Sequence, residues 1–179
     1  MVATDWQIPL IIRDEEARDA QPICELLQAA FESPIEAAIV EKLRVTCPER
    51  VSLVAVNDHR IVGHILFTPV TIETTEREIR GFGLAPMAVL PESQRTGIGS
   101  ALVRSGIERL QESHCPFVVV VGHPEYYPRF GFVPASRYGV RCEWAGVPGE
   151  AFMILVLRPD VAPRLAGLAR YRPEFAETV

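Results

Sequence analysis

Met87-Ala88-Val89-Leu90-Pro91-Glu92-Ser93-Gln94-Arg95-Thr96-Gly97-Ile98-Gly99-Ser100-Ala101-Leu102 runs from an apolar strand, through a glycine-punctuated loop, into the start of a helix. Exposed N–H groups at a helix N-terminus and the positive end of its dipole favour an anion, and glycines let that anion come close to the backbone. The stretch reads as a phosphate cradle.

Spacing separates three cradles that share this outline. A Walker loop needs Lys followed by Ser or Thr after its second glycine, to reach terminal phosphates and hold magnesium; here Gly99 is followed by Ser100-Ala101, which excludes it. A dinucleotide fingerprint needs a third small residue where Leu102 stands and an acid closing the next strand, but Val118 to Val121 run into Gly122. A nucleotide-binding regulator therefore rests on the glycines alone. What remains is Gln94-x-x-Gly97-x-Gly99 behind an apolar strand and Pro91. A second segment follows one helix later: Phe117-Val118-Val119-Val120-Val121, a buried-looking strand, then Tyr126-Tyr127-Pro128-Arg129-Phe130-Gly131-Phe132.

These two motifs, in this order, resemble the coenzyme A pyrophosphate loop and the Tyr-x-x-x-Gly-Phe segment of the GNAT superfamily of acyl-CoA-dependent N-acyltransferases, in its bacterial form. The resemblance is specific over about residues 80 to 135 and general elsewhere. It implies an α/β fold of the mixed α+β kind: a mostly antiparallel sheet of six to seven strands, about four helices, and two parallel strands splayed apart at the cofactor site.

It also implies a division of labour, carried over by position. The backbone of Met87, Ala88 and Val89 would bond the pantetheine arm like an added strand, with the Met87 N–H on the thioester oxygen. Gln94, Arg95, Thr96, Gly97, Ile98, Gly99 and Ser100 would cradle the pyrophosphate, Arg95 adding charge. Tyr127 would protonate the departing thiolate, since a phenol with a reference pKa of about 10 can donate to a thiolate held close to it. Its neighbour Tyr126 points elsewhere on this reading, one of the pair packing while the other faces the cofactor. Pro86 suits a strand where pairing stops, and equally an ordinary bulge.

The base is the point of departure. Family members that modify histones carry a glutamate four residues before the position of Met87, and this chain has Gly83 there. The candidates are His123, just past the strand leading to Tyr127, then His64, Glu125, Glu73 and Glu32. Val121-Gly122-His123-Pro124 also lacks the asparagine that many members place near the coenzyme. The activity implied is acetyl transfer from acetyl-CoA, without metal, to a primary amine of a small molecule or peptide. A CoA-binding sensor with little catalysis is the alternative that Gly83 keeps open.

Composition sets limits on this picture. A chain of 179 residues fits a single domain, 1–179, able to bury a core without disulfides. Cys24, Cys47, Cys115 and Cys142 are far apart, with no metal-ligand spacing, and read as buried thiols in a reducing compartment. With a net charge of −5 and no basic stripe interleaved with aromatics, a nucleic-acid partner is not expected. No leader and no apolar run of roughly 20 residues is present, so a cytoplasmic protein without membrane contact is expected.

Along the chain, 8–13 reads as a strand, and Glu15 to Ala30 and Ser33-Pro34 onward read as helices. Ser52–Val56 and Ile61–Val70 read as a hairpin across Asn57-Asp58-His59, Glu78–Val89 as a long strand, and Gly97 to about Ser113 as a crossover helix. Val140–Trp144 and Ala151–Leu157 read as a closing hairpin. The segment 159–179 wraps the domain, makes a homodimer contact or covers the substrate side. Walls from Phe31–Ile39 and Arg137–Trp144 would set specificity; small metabolite, antibiotic, polyamine, peptide N-terminus and protein lysine all stay open.

Overall fold

The computed structural model describes residues 9–178. In chain order it holds β1 (Ile11–Asp14), α1 (Ala20–Phe31), α2 (Ile35–Thr46), β2 (Val51–Asn57), β3 (Arg60–Thr74), β4 (Glu78–Val89) and α3 (Ile98–Glu112). Then come β5 (Phe117–Val121), β6 (Val133–Pro134), β7 (Val140–Cys142), β8 (Phe152–Val156) and β9 (Gly167–Arg170), with short 3-10 segments in most of the later connections. The mixed, mostly antiparallel sheet has the order β1-β2-β3-β4-β5-β8-β6; β9 pairs β3, and β7 pairs β9.

The start of the chain departs from the simple helix expected over Glu15 to Ala30. Asp19 takes two bonds from the Arg13 guanidinium, at 2.6 and 2.9 Å, and one from the Glu16 N–H at 2.7 Å. That clamp holds a 3-10 turn at Ala17–Asp19, so α1 begins only at Ala20. Pro22 falls in its first turn, where the missing N–H costs nothing. The first strand is seen at Ile11–Asp14, and the residue-8 end of the expected strand lies outside the described residues.

β2 and β3 meet across Asp58 and His59, both with positive φ (48° and 61°), as a two-residue hairpin turn of this hand requires. β3 is long enough to serve two partners on one edge: β2 along its first half and β9 along Thr71–Thr74. Its faces are covered on both sides. Gly63 meets Ile98 and Leu102 of α3, while the next residue, His64, points to the opposite face. There it joins Ser52, Glu15 and, through Glu15, Arg44 of α2.

The expected closing hairpin does not form. β5 is an apolar run needing a partner on its free edge, and β8 supplies all five residues, Phe117↔Val156 to Val121↔Phe152, antiparallel. β7 instead runs parallel to β9, so the C-terminal segment enters the sheet rather than lying on it. These short strands bring the sheet to nine strands, beyond the six to seven that the motifs implied.

The cysteines are unpaired, two buried and two half-buried. Burial pushes the Cys115 thiol up to about 11, which keeps it protonated and unreactive. Among the described residues no helix is long and apolar enough to cross a membrane.

Candidate active site

The parallel ladder between β4 and β5 covers only Phe82↔Val118, Gly83↔Val119 and Leu84↔Val120. Beyond it the strands part. On the β3 side, Leu84 opposes Phe67 and Met87 opposes Ile65, so Ala85 and Pro86 form a bulge at the point of separation. Pro86 thus marks both readings the sequence left open. Met87 to Val89 keep β3 on one edge and have no ladder partner from β5 on the other.

A cavity of about 1250 Å³ opens there. Its lower wall is β4 from Leu84 to Val89, and its far end is the loop before α3, through Gln94, Arg95, Gly97, Gly99 and Ser100. Gly97 is the N-cap of α3 with φ 94°, and Arg95 also has positive φ at 63°. Successive amides in such a turn converge on one point, which the helix dipole makes favourable to an anion. A Cβ on Gly99 would lie 2.9 Å from Tyr126 Oη, 3.7 Å from Val89 and 3.8 Å from Met87, so this glycine keeps the cradle floor open. The residues fit a pyrophosphate.

Three of the residues expected to hold the cofactor, two at the cradle and one along the pantetheine arm, turn their side chains elsewhere. Ile98 is buried in the core against Gly63, and Ala88 is buried beneath β4. Thr96 donates its hydroxyl to Ser93 O at 2.6 Å, and none of the three lines the cavity. Only their backbone is available to a ligand. Gln94 lines the cavity, and its amide donates to Val89 O at 3.2 Å, tying the loop to the strand end.

Both tyrosines line the cavity, which differs from the expectation that one of them only packs. The rings meet edge-on at 5.1 Å. Tyr126 carries its hydroxyl to the cradle at Gly99, and the Arg129 guanidinium sits 4.6 Å over its ring. Tyr127 is buried, 7% exposed, between Gly122 and Phe132. Burial, with Tyr126 beside it, pushes its phenol well above 10. It therefore holds its proton at every working pH. Any Cβ at position 122 would come 2.3 Å from its ring, so the glycine in this turn makes room for Tyr127.

The candidate bases scatter. His123 lies at the exposed rim of the cavity, its carbonyl accepting the Tyr126 N–H at 3.0 Å. His64 is fully buried away from the cavity, bonded to Ser52 Oγ at 2.9 Å, and desolvation lowers it to about 4. Glu73 is paired with Arg170 at 3.0 Å; it, Glu32 and Glu125 do not line the cavity.

A carboxylate from the expected Phe31–Ile39 wall, not counted among the candidate bases, does line it. Glu36, in the first turn of α2, has one side-chain oxygen shielded from solvent with no hydrogen-bond partner among the described residues. Phe31, Ile39, Trp144 and Phe175 complete that region. The last two come from beyond β7, and no local motif marks them; only the pairing of β9 with β3 brings them in.

The chain is similar to proteins already known. Residues 12–135 match the family described as Acetyltransferase (GNAT) domain. The Uncharacterized N-acetyltransferase YhbS of Escherichia coli strain K12 is 34% identical over 167 residues, 93% of this chain and 98% of that protein. The crystal structure of the Escherichia coli GNAT family N-acetyltransferase YhbS in complex with CoA superposes with a TM-score of 0.89 at 32% identity, over 99% of this chain and 98% of that one. A GNAT family acetyltransferase from Brucella melitensis, in complex with acetyl-CoA, gives 0.76 at 32% identity, over 94% and 99%.

Proposed function

Because this chain belongs to the GNAT acetyltransferase family, we propose that residues 1–179 act as one unit that moves acetyl from acetyl-CoA to a primary amine by direct attack. The observation that carries the reading is the unpaired edge of Met87 to Val89, which opens between the splayed strands and leads to the Gly97–Gly99 cradle. Relatives crystallised with CoA and acetyl-CoA support the choice of co-substrate.

Met87 to Val89 align the pantetheine arm by backbone bonds, and the Met87 N–H faces the thioester oxygen as charge develops there. Arg95, Arg129 and the loop amides hold the pyrophosphate. The amine nitrogen forms the C–N bond as the C–S bond breaks, and Tyr127 gives its proton to the leaving sulfur. The proton shed by nitrogen then restores Tyr127, so a neutral amine and the thioester give an amide and a free thiol with no net proton. His123, the one of the five candidate bases that lines the cavity, sits at its exposed rim and relays protons outward rather than contacting the reacting atoms.

Calorimetric titration with acetyl-CoA and CoA tests the reading, beside a variant carrying bulky residues at Gly97 and Gly99. Micromolar binding lost in the variant is the expected result. Absence of binding by the wild type sinks it, and tight binding without transfer to any amine favours the sensor.

A further inference from the structure

The cavity is polarised. Its cradle region presents Arg95, Arg129 and amide groups, whereas Glu36 is the one acidic residue among all those that line it. The shielded oxygen of Glu36 has no donor among the described residues. An unpaired carboxylate oxygen away from water is costly, and the first turn of a helix eases that cost only in part. A cationic donor brought by a ligand is the natural complement.

The surroundings of Glu36 define what else that ligand carries. Phe31 closes α1 before the connection into α2, Ile39 lies one turn of α2 beyond Glu36, and Trp144 and Phe175 come from the C-terminal third. Trp144 is fixed by stacking on Tyr171 at 4.3 Å and by a tilted contact with Phe175 at 6.5 Å. Held aromatic faces attract both an ammonium group and a flat or apolar body. A peptide acceptor would bring amide groups needing partners that these side chains do not offer.

Resting on the transferase reading above, we propose that Glu36 is the acceptor-binding carboxylate of this cavity and that the acceptor is a small primary amine with an aromatic or branched apolar body. An alkyl amine arrives as the ammonium, since its pKa lies near about 10. Glu36 pairs with it through a charge-assisted hydrogen bond that holds the nitrogen in place, and the ammonium gives one proton to solvent before the neutral nitrogen attacks. Nitrogen loses a second proton in the transfer, which restores Tyr127 after it protonates sulfur.

The test measures thiol release by the wild type, Glu36→Gln and Glu36→Asp with three probes: 2-phenylethylamine, n-propylamine and a short lysine-containing peptide. Acetyl-CoA binding is titrated in parallel. The wild type is expected to favour 2-phenylethylamine in kcat/KM by about tenfold or more over both others, the scale of a well-filled apolar site. Glu36→Gln raises its KM for that amine by about tenfold or more, the worth of a charged hydrogen bond, with acetyl-CoA affinity unchanged and Glu36→Asp recovering part. Preference for the peptide or n-propylamine overturns the proposal, as does an unchanged KM in Glu36→Gln. Normal acetyl-CoA binding with no transfer to any probe also overturns it and leaves the cofactor site standing, whereas loss of acetyl-CoA binding in the wild type removes the reading beneath it.

Discussion

The ring of Tyr171 lies directly against the backbone of Gly83: a Cβ built there would come 2.8 Å from Tyr171 Cε1 and 2.7 Å from Val70 Cγ2. Gly83 is where histone-modifying relatives of the motif carry a glutamate, and here the C-terminal segment occupies that space. Gly83→Glu is therefore expected to lower stability rather than to install a base. Gly83→Ala alone overpacks the contact and costs about 1–3 kcal/mol, several degrees in Tm. In a Tyr171→Leu background the same change costs less, and a double-mutant cycle by thermal unfolding reads the difference. Equal costs in both backgrounds would mean that Tyr171 is not what excludes the side chain.

Tyr127→Phe keeps the ring that fills the space beside Gly122 and removes only the proton donor. The expected loss in kcat is about 10²–10⁴-fold, with acetyl-CoA affinity within twofold or so. Tyr126→Phe should act in the opposite sense, because its hydroxyl lies at the cradle: weaker cofactor binding and a nearly normal kcat at saturation. Calorimetry with steady-state kinetics separates the two. Full activity in Tyr127→Phe removes the acid assignment.

What the sequence made legible was whatever a short, contiguous pattern encodes. Glu78–Val89 and Phe117–Val121 are found as read, and the helix expected over Gly97 to Ser113 is found at Ile98–Glu112 with Gly97 and Ser113 as its caps. The glycine loop meets the strand end because strand, loop and helix are consecutive. The meeting of Glu36, Trp144 and Phe175 is different in kind, although the expected walls at Phe31–Ile39 and Arg137–Trp144 contain the first two. The three reach one cavity from α2, from the segment after β7 and from the C-terminal turn, and the long-range pairings of β9 with β3 and β7 bring in the last two. The same logic explains the missing hairpin: Val140–Cys142 and Phe152–Val156 both look like strands, but partner choice was decided by the open edge of β5. Glu15 looked like a helix residue, and its carboxylate is instead spent on Ser52 and Arg44.

The two cradle glycines should fail differently. Gly97 has nothing within 4 Å of a built Cβ, so its constraint is φ 94° alone, and Gly97→Ala strains the N-cap by about 1–2 kcal/mol. Gly99 sits in helix and meets only the end of Tyr126 at 2.9 Å among close contacts, so Gly99→Val displaces a side chain at the cradle floor. We expect Gly97→Ala to lower Tm with a modest rise in the acetyl-CoA Kd. Gly99→Val should nearly abolish binding while Tm changes little. The reverse pattern would place the anion away from this floor.

Acid should weaken the fold in two steps. Desolvation, helped by Arg44 and opposed by Glu15, lowers His64 from its usual 6.5 to about 4, so the buried ring with Ser52 is neutral in the folded state. As pH falls below 6.5 the unfolded chain takes up a proton that the folded one refuses, and this stability is lost progressively down to about pH 4, roughly 3 kcal/mol at most. Glu174 acts lower. Burial opposes its charge, but bonds from Arg172 at 2.7 Å and Thr46 at 2.5 Å hold it down to about 2, so its contribution is complete above its ordinary 4.5 and fades toward pH 2. Denaturant titrations from pH 8 to 3 should show His64→Phe flattening the upper step, because a ring that cannot titrate removes the linkage whatever it does to the absolute stability. Glu174→Gln should leave that step intact and flatten only the lower one, loosening the C-terminal turn from α2. An unchanged slope between pH 6.5 and 4 in His64→Phe would assign the upper step to other groups.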